Sequence, residues 1–316
     1  MKKPSSGTKI LYQRVVFFIA AALCLTPLIS PPVALLLGLI VALLLGHPYQ
    51  KYNHKATTIL LQVSVVGLGF GMNVTSAMKA GKEGILFTVV SIIGTLILGF
   101  LLGKLFKIEK KTSYLISSGT AICGGSAIAA VAPVIKADER QISVALGTIF
   151  ILNSIALIIF PYIGHQLNLT QTQFGLWCAI AIHDTSSVVG AAAKYGEQAL
   201  EIATTVKLAR ALWIIPVAII STFIFKSKDV KIKIPYFIGL FVLAMIMNTY
   251  IPFVQQISPY LTKIAKAGLT LTLFLIGCGL NKTVLKSVGV KPLIQGVILW
   301  ITISLTALWV IMHVTV

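Results

Sequence analysis

Apolar segments of membrane-spanning length follow one another along almost the whole chain. Eleven segments can be marked, at roughly residues 15–30, 33–46, 56–71, 85–103, 113–135, 141–163, 174–193, 203–225, 235–251, 267–280 and 292–312. A helix needs about 20 mostly apolar residues to cross a bilayer. Isolated strands cannot satisfy their backbone groups in lipid. The pattern therefore predicts an all-α polytopic membrane protein with about nine to eleven hydrophobic segments.

Small or polar residues interrupt two of these segments near their middle. The interruptions are Cys123-Gly124-Gly125-Ser126 and His183-Asp184-Thr185-Ser186-Ser187. Paired glycines weaken a helix, and a charge at the bilayer centre costs about 3 kcal/mol. We therefore predict two broken or re-entrant segments. We expect the breaks to meet near the bilayer midplane, with Gly125 and Ser186 close together across a repeat interface.

A glycine motif occurs twice in the chain. Gly69-x-Gly71-Met72-Asn73-x-Thr75 matches Gly277-x-Gly279-Leu280-Asn281-x-Thr283, 208 positions further on. A weaker match pairs Cys123 with Asp184, at an offset of 61. We predict a single transmembrane transporter domain, 1–316, made of inverted repeats. Its halves are about 33–163 and 174–312, and 15–30 is an additional span.

The basic residues indicate how the chain is oriented. Hydrophobic residues make up 57% of the sequence, charged residues 11%, and the net charge is +18. Because the lysines are spread thinly between apolar segments, they fit the positive-inside rule, with anionic lipid headgroups as counter-charge and no nucleic-acid partner. We predict a cytoplasmic N-terminus and an outside C-terminus. Nine crossings plus two re-entrant segments are favoured, and full-length broken helices are the alternative.

Asp184 is the one carboxylate deep within an apolar segment, which makes it a candidate proton or sodium site. The alternative is a structural acid. His183 could share its proton or hydrogen-bond to a neighbouring helix. Thr185, Ser186 and Ser187 suit an oxyanion or a dehydrated cation, although such hydroxyls also bond to their own helix.

Gly124-Gly125 could unwind a helix and expose backbone N–H groups to an anion, with Cys123 and Ser126 beside them. Close helix packing is the alternative use of such small residues. Asn73 and Asn281 hold equivalent repeat positions, where we expect them to cap helices or to cross-link the scaffold.

Lys207 and Arg210 lie one helical turn apart. They could neutralise an anion, pair with Asp184 or snorkel to the interface, and snorkelling is favoured for Lys207. The sequence has no P-loop, GxSxG, HExxH or Cys/His cluster, so we predict no enzyme, no cofactor and no metal site.

Two signatures, SGTAICGGSAIAAVAPVI at 118–135 and HDTSSVVGAA at 183–192, resemble the YeiH-type family of bacterial membrane proteins, which are labelled sulfate exporters. The likeness covers nearly the whole chain, including GLGFGMNVT and IGCGLNKT. It implies kinship with the cation:proton antiporter and bile-acid symporter superfamily, whose cores are inverted repeats with two broken helices. Other members often carry Glu and Gln at the positions of Asp184 and Ser187.

These observations predict an ion-coupled secondary transporter of a small anion, such as a sulfate-like oxyanion, that works by alternating access with Asp184 as coupling site. One alternative is a cation/proton exchanger that uses Asp184 and His183. Another is a non-transporting membrane scaffold or sensor. We expect a multi-pass protein of the bacterial cell membrane, embedded in the lipid bilayer, with a homodimer as one option.

Overall fold

A computed structural model describes residues 6–225, 236–280 and 289–314, and every regular element in these ranges is an α-helix. The first seven are α1 (Ser6–Cys24), α2 (Pro31–Leu44), α3 (Gln50–Gly69), α4 (Val74–Leu105), α5 (Lys110–Ala121), α6 (Gly125–Val134) and α7 (Glu139–Gln166). The others are α8 (Gln171–Ala181), α9 (Thr185–Tyr195), α10 (Glu197–Ala211), α11 (Ile214–Ile224), α12 (Tyr236–Tyr250), α13 (Pro252–Gly279) and α14 (Val290–Val314). The prediction of an all-α polytopic membrane protein is confirmed.

Five helical stretches of the described residues are long and apolar enough to cross a membrane. They are Thr88–Leu105, Arg140–Gln166, Glu197–Ile224, Pro252–Gly279 and Val290–His313. Shorter apolar helices include Pro31–Leu44 and Tyr236–Tyr250. The predicted segment 267–280 is much too short, because the first half of α13 contains polar residues that interrupt the apolar pattern but not the helix.

Local signals explain several helix boundaries. Pro31 and Pro32 occupy the first turn of α2, where a missing N–H costs nothing. Asp138 begins α7 with a reciprocal capping box to Gln141, and Thr170 begins α8 in the same way. Between α10 and α11 the predicted segment 203–225 is interrupted at Leu212 and Trp213. Pro216 lies just beyond and cannot donate a helical hydrogen bond, which accounts for the interruption.

The chain forms two compact units. Among the described residues, the first unit comprises 6–73 and 239–280, and the second comprises 74–225, 236–238 and 289–314. In the first unit, α2 and α3 each pack against α13, and α1 contacts both α2 and α13. In the second unit, the broken pairs α5–α6 and α8–α9 pack with α4, α7, α10 and α14.

Glycines let the helices of the first unit approach until their backbones touch. An added Cβ at Gly277 would overlap the carbonyl oxygen of Leu35, and one at Gly38 would overlap that of Phe274. These contacts join α13 to α2. Close packing of this kind stabilises helix contacts in lipid, where burying apolar surface between helices adds little.

A polar cross-link joins three helices of the second unit. The side-chain amide of Gln295, on α14, donates to the Gly99 carbonyl at 3.0 Å and to Ser113 Oγ at 2.8 Å. Added Cβ atoms at Gly99 and Gly103 would overlap the hydroxyls of Ser117 and Ser113. Small residues therefore bring α4 and α5 within reach of one buried amide.

Gly277→Ala should lower the free energy of unfolding by about 1–3 kcal/mol, because the new methyl group has no space beside the backbone of α2. Gly94→Ala is the matched control, since nothing lies within 4 Å of its added Cβ. It should be neutral or stabilising, because alanine favours helix. Thermal unfolding in detergent measures both, and equal melting temperatures for the two variants would contradict the packing argument.

Candidate functional site

The first broken helix is interrupted over Ile122, Cys123 and Gly124. α5 ends at Ala121 and α6 begins at Gly125. Gly124 has φ 63° and ψ −123°, a conformation that residues with a side chain rarely adopt. Its N–H donates to the Gly119 carbonyl at 2.8 Å, which closes the end of α5. The glycine is therefore required by the turn itself.

The second broken helix is interrupted over Ile182, His183 and Asp184. α8 ends at Ala181 and α9 begins at Thr185. Asp184 caps α9: its Oδ1 accepts from the Ser187 N–H at 2.6 Å and from Ser186 Oγ at 2.7 Å, and its Oδ2 accepts from Ser187 Oγ at 3.0 Å. The Asp184 carboxylate thus accepts hydrogen bonds from one backbone and two side-chain donors in the first turn of α9.

The two breaks meet. An added Cβ at Gly124 would lie 3.2 Å from Asp184 Cβ and 3.4 Å from Asp184 Cα. The prediction that the breaks come together is confirmed, and the contact that joins them is between Gly124 and Asp184. Counted from the helix ends, the two breaks are 60 residues apart (Ala121 with Ala181, Gly124 with Asp184), one fewer than the offset of the weak sequence match.

Lys207 binds the C-terminal end of α8. The side chain is fully buried, and Nζ donates to the carbonyls of Ile182 at 2.6 Å and Ala179 at 3.2 Å. The expectation that Lys207 snorkels to the interface is therefore wrong. The predicted segment began at 203, whereas α10 begins at Glu197, which places Lys207 almost three turns inside the helix.

Arg210 binds the C-terminal end of α5, in the first broken helix. It is also fully buried, and its guanidinium donates to the Ala121 carbonyl at the end of α5 and to Ser91 Oγ at 2.8 Å. Lys207 and Arg210 thus bind the two carbonyl ends that the breaks create. Their hydrogen-bond partners are backbone carbonyls and a serine, and not Asp184.

His183 lies inside the second break and is fully buried. Its backbone N–H donates to Asn153 Oδ1, on α7, at 2.9 Å. Both ring nitrogens of His183 and the Asn153 side-chain nitrogen lack a hydrogen-bond partner among the described residues. Sequence reasoning missed Asn153, although an amide within the apolar run IFILNSIALIIF was a signal that could have found it.

The remaining predicted residues are placed as follows. Cys123 and Thr185 are buried beside the breaks, Gly125 is half-buried, and Ser126 is exposed on the first turn of α6. Asn73 is exposed, belongs to the first unit and directly precedes α4. Asn281 lies outside the described residues.

Comparison with known proteins identifies the family. The family model described as conserved hypothetical protein 698 matches residues 10–296. The chain belongs to the UPF0324 family of membrane proteins. This confirms the family resemblance found in the two signature segments. No solved structure matches the chain.

Relatives in this family are similar over almost their full length. A UPF0324 membrane protein of Bacteroides thetaiotaomicron is 63% identical over 282 residues, which cover 89% of this chain and 86% of the relative. Those of Porphyromonas gingivalis and Bdellovibrio bacteriovorus are 49% and 52% identical, and the matches cover 95% of this chain and 95% and 94% of the relatives. The family is therefore a membrane-protein family, and its names give no substrate.

The two adjacent glycines of the first break should respond differently to alanine. Gly124→Ala should destabilise the protein by about 1–3 kcal/mol, because its φ is positive and the methyl group would press on Asp184. At Gly125 an added Cβ meets Leu146 and Phe150 at 3.4–3.5 Å, which is ordinary contact, so Gly125→Ala should fold normally. Thermal unfolding of the two purified variants tests this, and equal stability would contradict the assignment of the strained turn to Gly124.

Proposed function

We propose that the protein is an ion-coupled secondary transporter of a small anion and that the crossing of the two breaks is its binding site. One observation carries the proposal. Among the described residues, the buried Asp, Glu, Lys, Arg and His side chains are Asp184, Lys207, Arg210 and His183, and all four belong to the breaks or bind them. Charges withdrawn from water inside a membrane protein ordinarily mark a substrate or ion pathway.

The charge balance at the crossing favours an anion. Each half-helix N-terminus carries about half a positive charge and each C-terminus about half a negative charge, so the four ends of the two broken helices cancel. The positive charges of Lys207 and Arg210 and the negative charge of Asp184 then leave the site with one net positive charge. A singly charged oxyanion would bring the site to neutrality, and a dianion such as sulfate would leave one negative charge. Either anion would also accept hydrogen bonds from the N–H groups at the start of α6, which no side chain caps.

The glycine motifs support the inverted repeat within this proposal. In the first unit, an added Cβ at Gly69 would lie 2.6 Å from the Phe241 carbonyl oxygen on α12, while its counterpart Gly277 meets Leu35 on α2. Shifted by 208 residues, α2 and α3 overlap α12 and α13. Each copy therefore packs its glycine against the matching helix of the other copy, as two elements related by a twofold axis would. The proposed orientation remains a cytoplasmic N-terminus and an outside C-terminus.

A cation/proton exchanger is the second candidate function. The unpartnered ring of His183, next in sequence to Asp184, supports it, because a buried imidazole can take up and release a proton. In that case the transported ion binds Asp184 and His183. Lys207 and Arg210 then serve only to bind the carbonyl ends of α8 and α5.

A ligand-stability screen distinguishes these functions. Detergent-purified protein would be heated in the presence of sulfate, other oxyanions, Na⁺ or K⁺ at several pH values. The proposal predicts that an oxyanion raises the melting temperature with the cations held constant. Stabilisation by Na⁺ or by pH alone would favour the exchanger, and no response to any of these would favour a scaffold or sensor.

Asp184→Asn should abolish coupled transport and leave the protein folded. Asparagine caps a helix about as well as aspartate, so the structural role survives while the titrating group is lost. The measurement is the uptake, by proteoliposomes under an imposed proton or sodium gradient, of the anion that the screen identifies.

Asp138→Asn is the matched control, because Asp138 caps α7 through the same kind of N-terminal bond and lies at a different helix boundary. It should transport at the wild-type rate. Wild-type transport and pH dependence in Asp184→Asn would show that Asp184 is structural.

A further inference from the structure

The second unit has an apolar cleft between the C-terminal half of α4, the start of α5, and α11. Its volume is about 650 Å³, within the range of roughly 300–1,000 Å³ that is usual for ligand pockets. The apolar wall is formed by Leu96, Ile97, Phe100, Val217, Ile220 and Ile224. This cleft is lined by none of the residues of the two breaks.

The wall is suited to hydrocarbon. Ile97, Phe100 and Ile220 expose 57%, 58% and 53% of their surface. The hydroxyls in the lining are already engaged. Tyr114 bonds to Ser221 at 2.8 Å, Ser113 donates to the Gly99 carbonyl at 3.2 Å, and Ser117 donates to the Ser113 carbonyl at 2.7 Å. An acyl chain covers such a surface without leaving a hydrogen bond unmade.

One part of the lining is basic. Lys104 and Lys110 line the cleft and are exposed, and Lys110 Nζ lies 4.9 Å from the centre of the Phe225 ring. Glu109 is the acidic residue of this turn, but its carboxylate accepts from the side chains of Gln141 and Thr112. The two ammonium groups therefore remain available to an anionic group at the apolar wall.

We propose that this cleft binds an anionic phospholipid, with an acyl chain along the apolar wall and the phosphate at Lys104 and Lys110. The charge complementarity selects an acidic headgroup over a zwitterionic one. The orientation proposed from the lysine pattern places the turn between α4 and α5 in the cytoplasm, where the leaflet carries anionic lipids. The lipid site does not depend on the transport function.

The test compares phosphatidylglycerol with phosphatidylcholine of the same acyl chains, titrated into purified protein in a neutral detergent and followed by thermal unfolding. Phosphatidylglycerol should stabilise the protein more strongly. The Lys104→Gln/Lys110→Gln double variant should raise its half-saturating concentration about thirtyfold, because each lysine near a membrane surface contributes roughly a fivefold gain. Lys55→Gln/Lys194→Gln removes the same charge from exposed positions outside the cleft and should bind as the wild type does.

A second pair of variants tests the apolar wall. Ile220→Trp should fill the cleft and reduce stabilisation by phosphatidylglycerol, whereas Ile219→Trp, at an exposed neighbouring position outside the lining, should not. Equal effects of the two lipids, or equal losses in the two lysine variants, would overturn the proposal. So would stabilisation by inorganic phosphate that matches phosphatidylglycerol and is unchanged in Ile220→Trp, because the lysines would then hold a free anion.

Discussion

The carbonyl ends of α5 and α8 impose the strictest requirement on this fold. A helix that stops inside a membrane protein leaves several carbonyls unpaired, and each costs several kcal/mol where water cannot reach. Arg210 and Lys207 meet the requirement from one helix, at a spacing of one turn. The two breaks must therefore lie close together, because a single stretch of α10 contacts both of them.

The N-terminal ends are satisfied by different means, which gives the site its asymmetry. Asp184 caps α9 with its own carboxylate, whereas the equivalent position before α6 is Gly124 and has no side chain. The glycine also leaves space for Asp184 to approach. One half-helix is thus closed by an acid, while the other keeps its N–H groups for a ligand. This difference is the reason why we propose an anion rather than a cation as the ligand.

Small residues let the helices pack closely within each of the two units. Where lipid surrounds the helices, packing and hydrogen bonds must hold them together, because hydrophobic burial adds little between apolar surfaces. In the first unit, the backbone contacts at Gly38 and Gly277 supply the packing. In the second unit, the amide of Gln295 supplies hydrogen bonds between α4, α5 and α14. In the second unit, the apolar cleft beside Tyr114 lies between α4, α5 and α11, where we propose that a lipid binds.

Hydropathy, together with the glycine and polar interruptions, was enough to predict the helical class and the positions of the two breaks, because lipid permits few backbone structures. The two signature segments were enough to indicate the family. The sequence pattern underestimated the lengths of α10 and α13, because polar residues on a packed helix face interrupt the apolar run by which a membrane helix is recognised. The burial of Lys207 and the role of Asn153 were decided only by the tertiary structure. The sequence does not show what a lone lysine or amide will bind. Here Lys207 binds backbone carbonyls, and Asn153 accepts from a backbone N–H group. These backbone groups are unpaired only because a helix distant in sequence is broken.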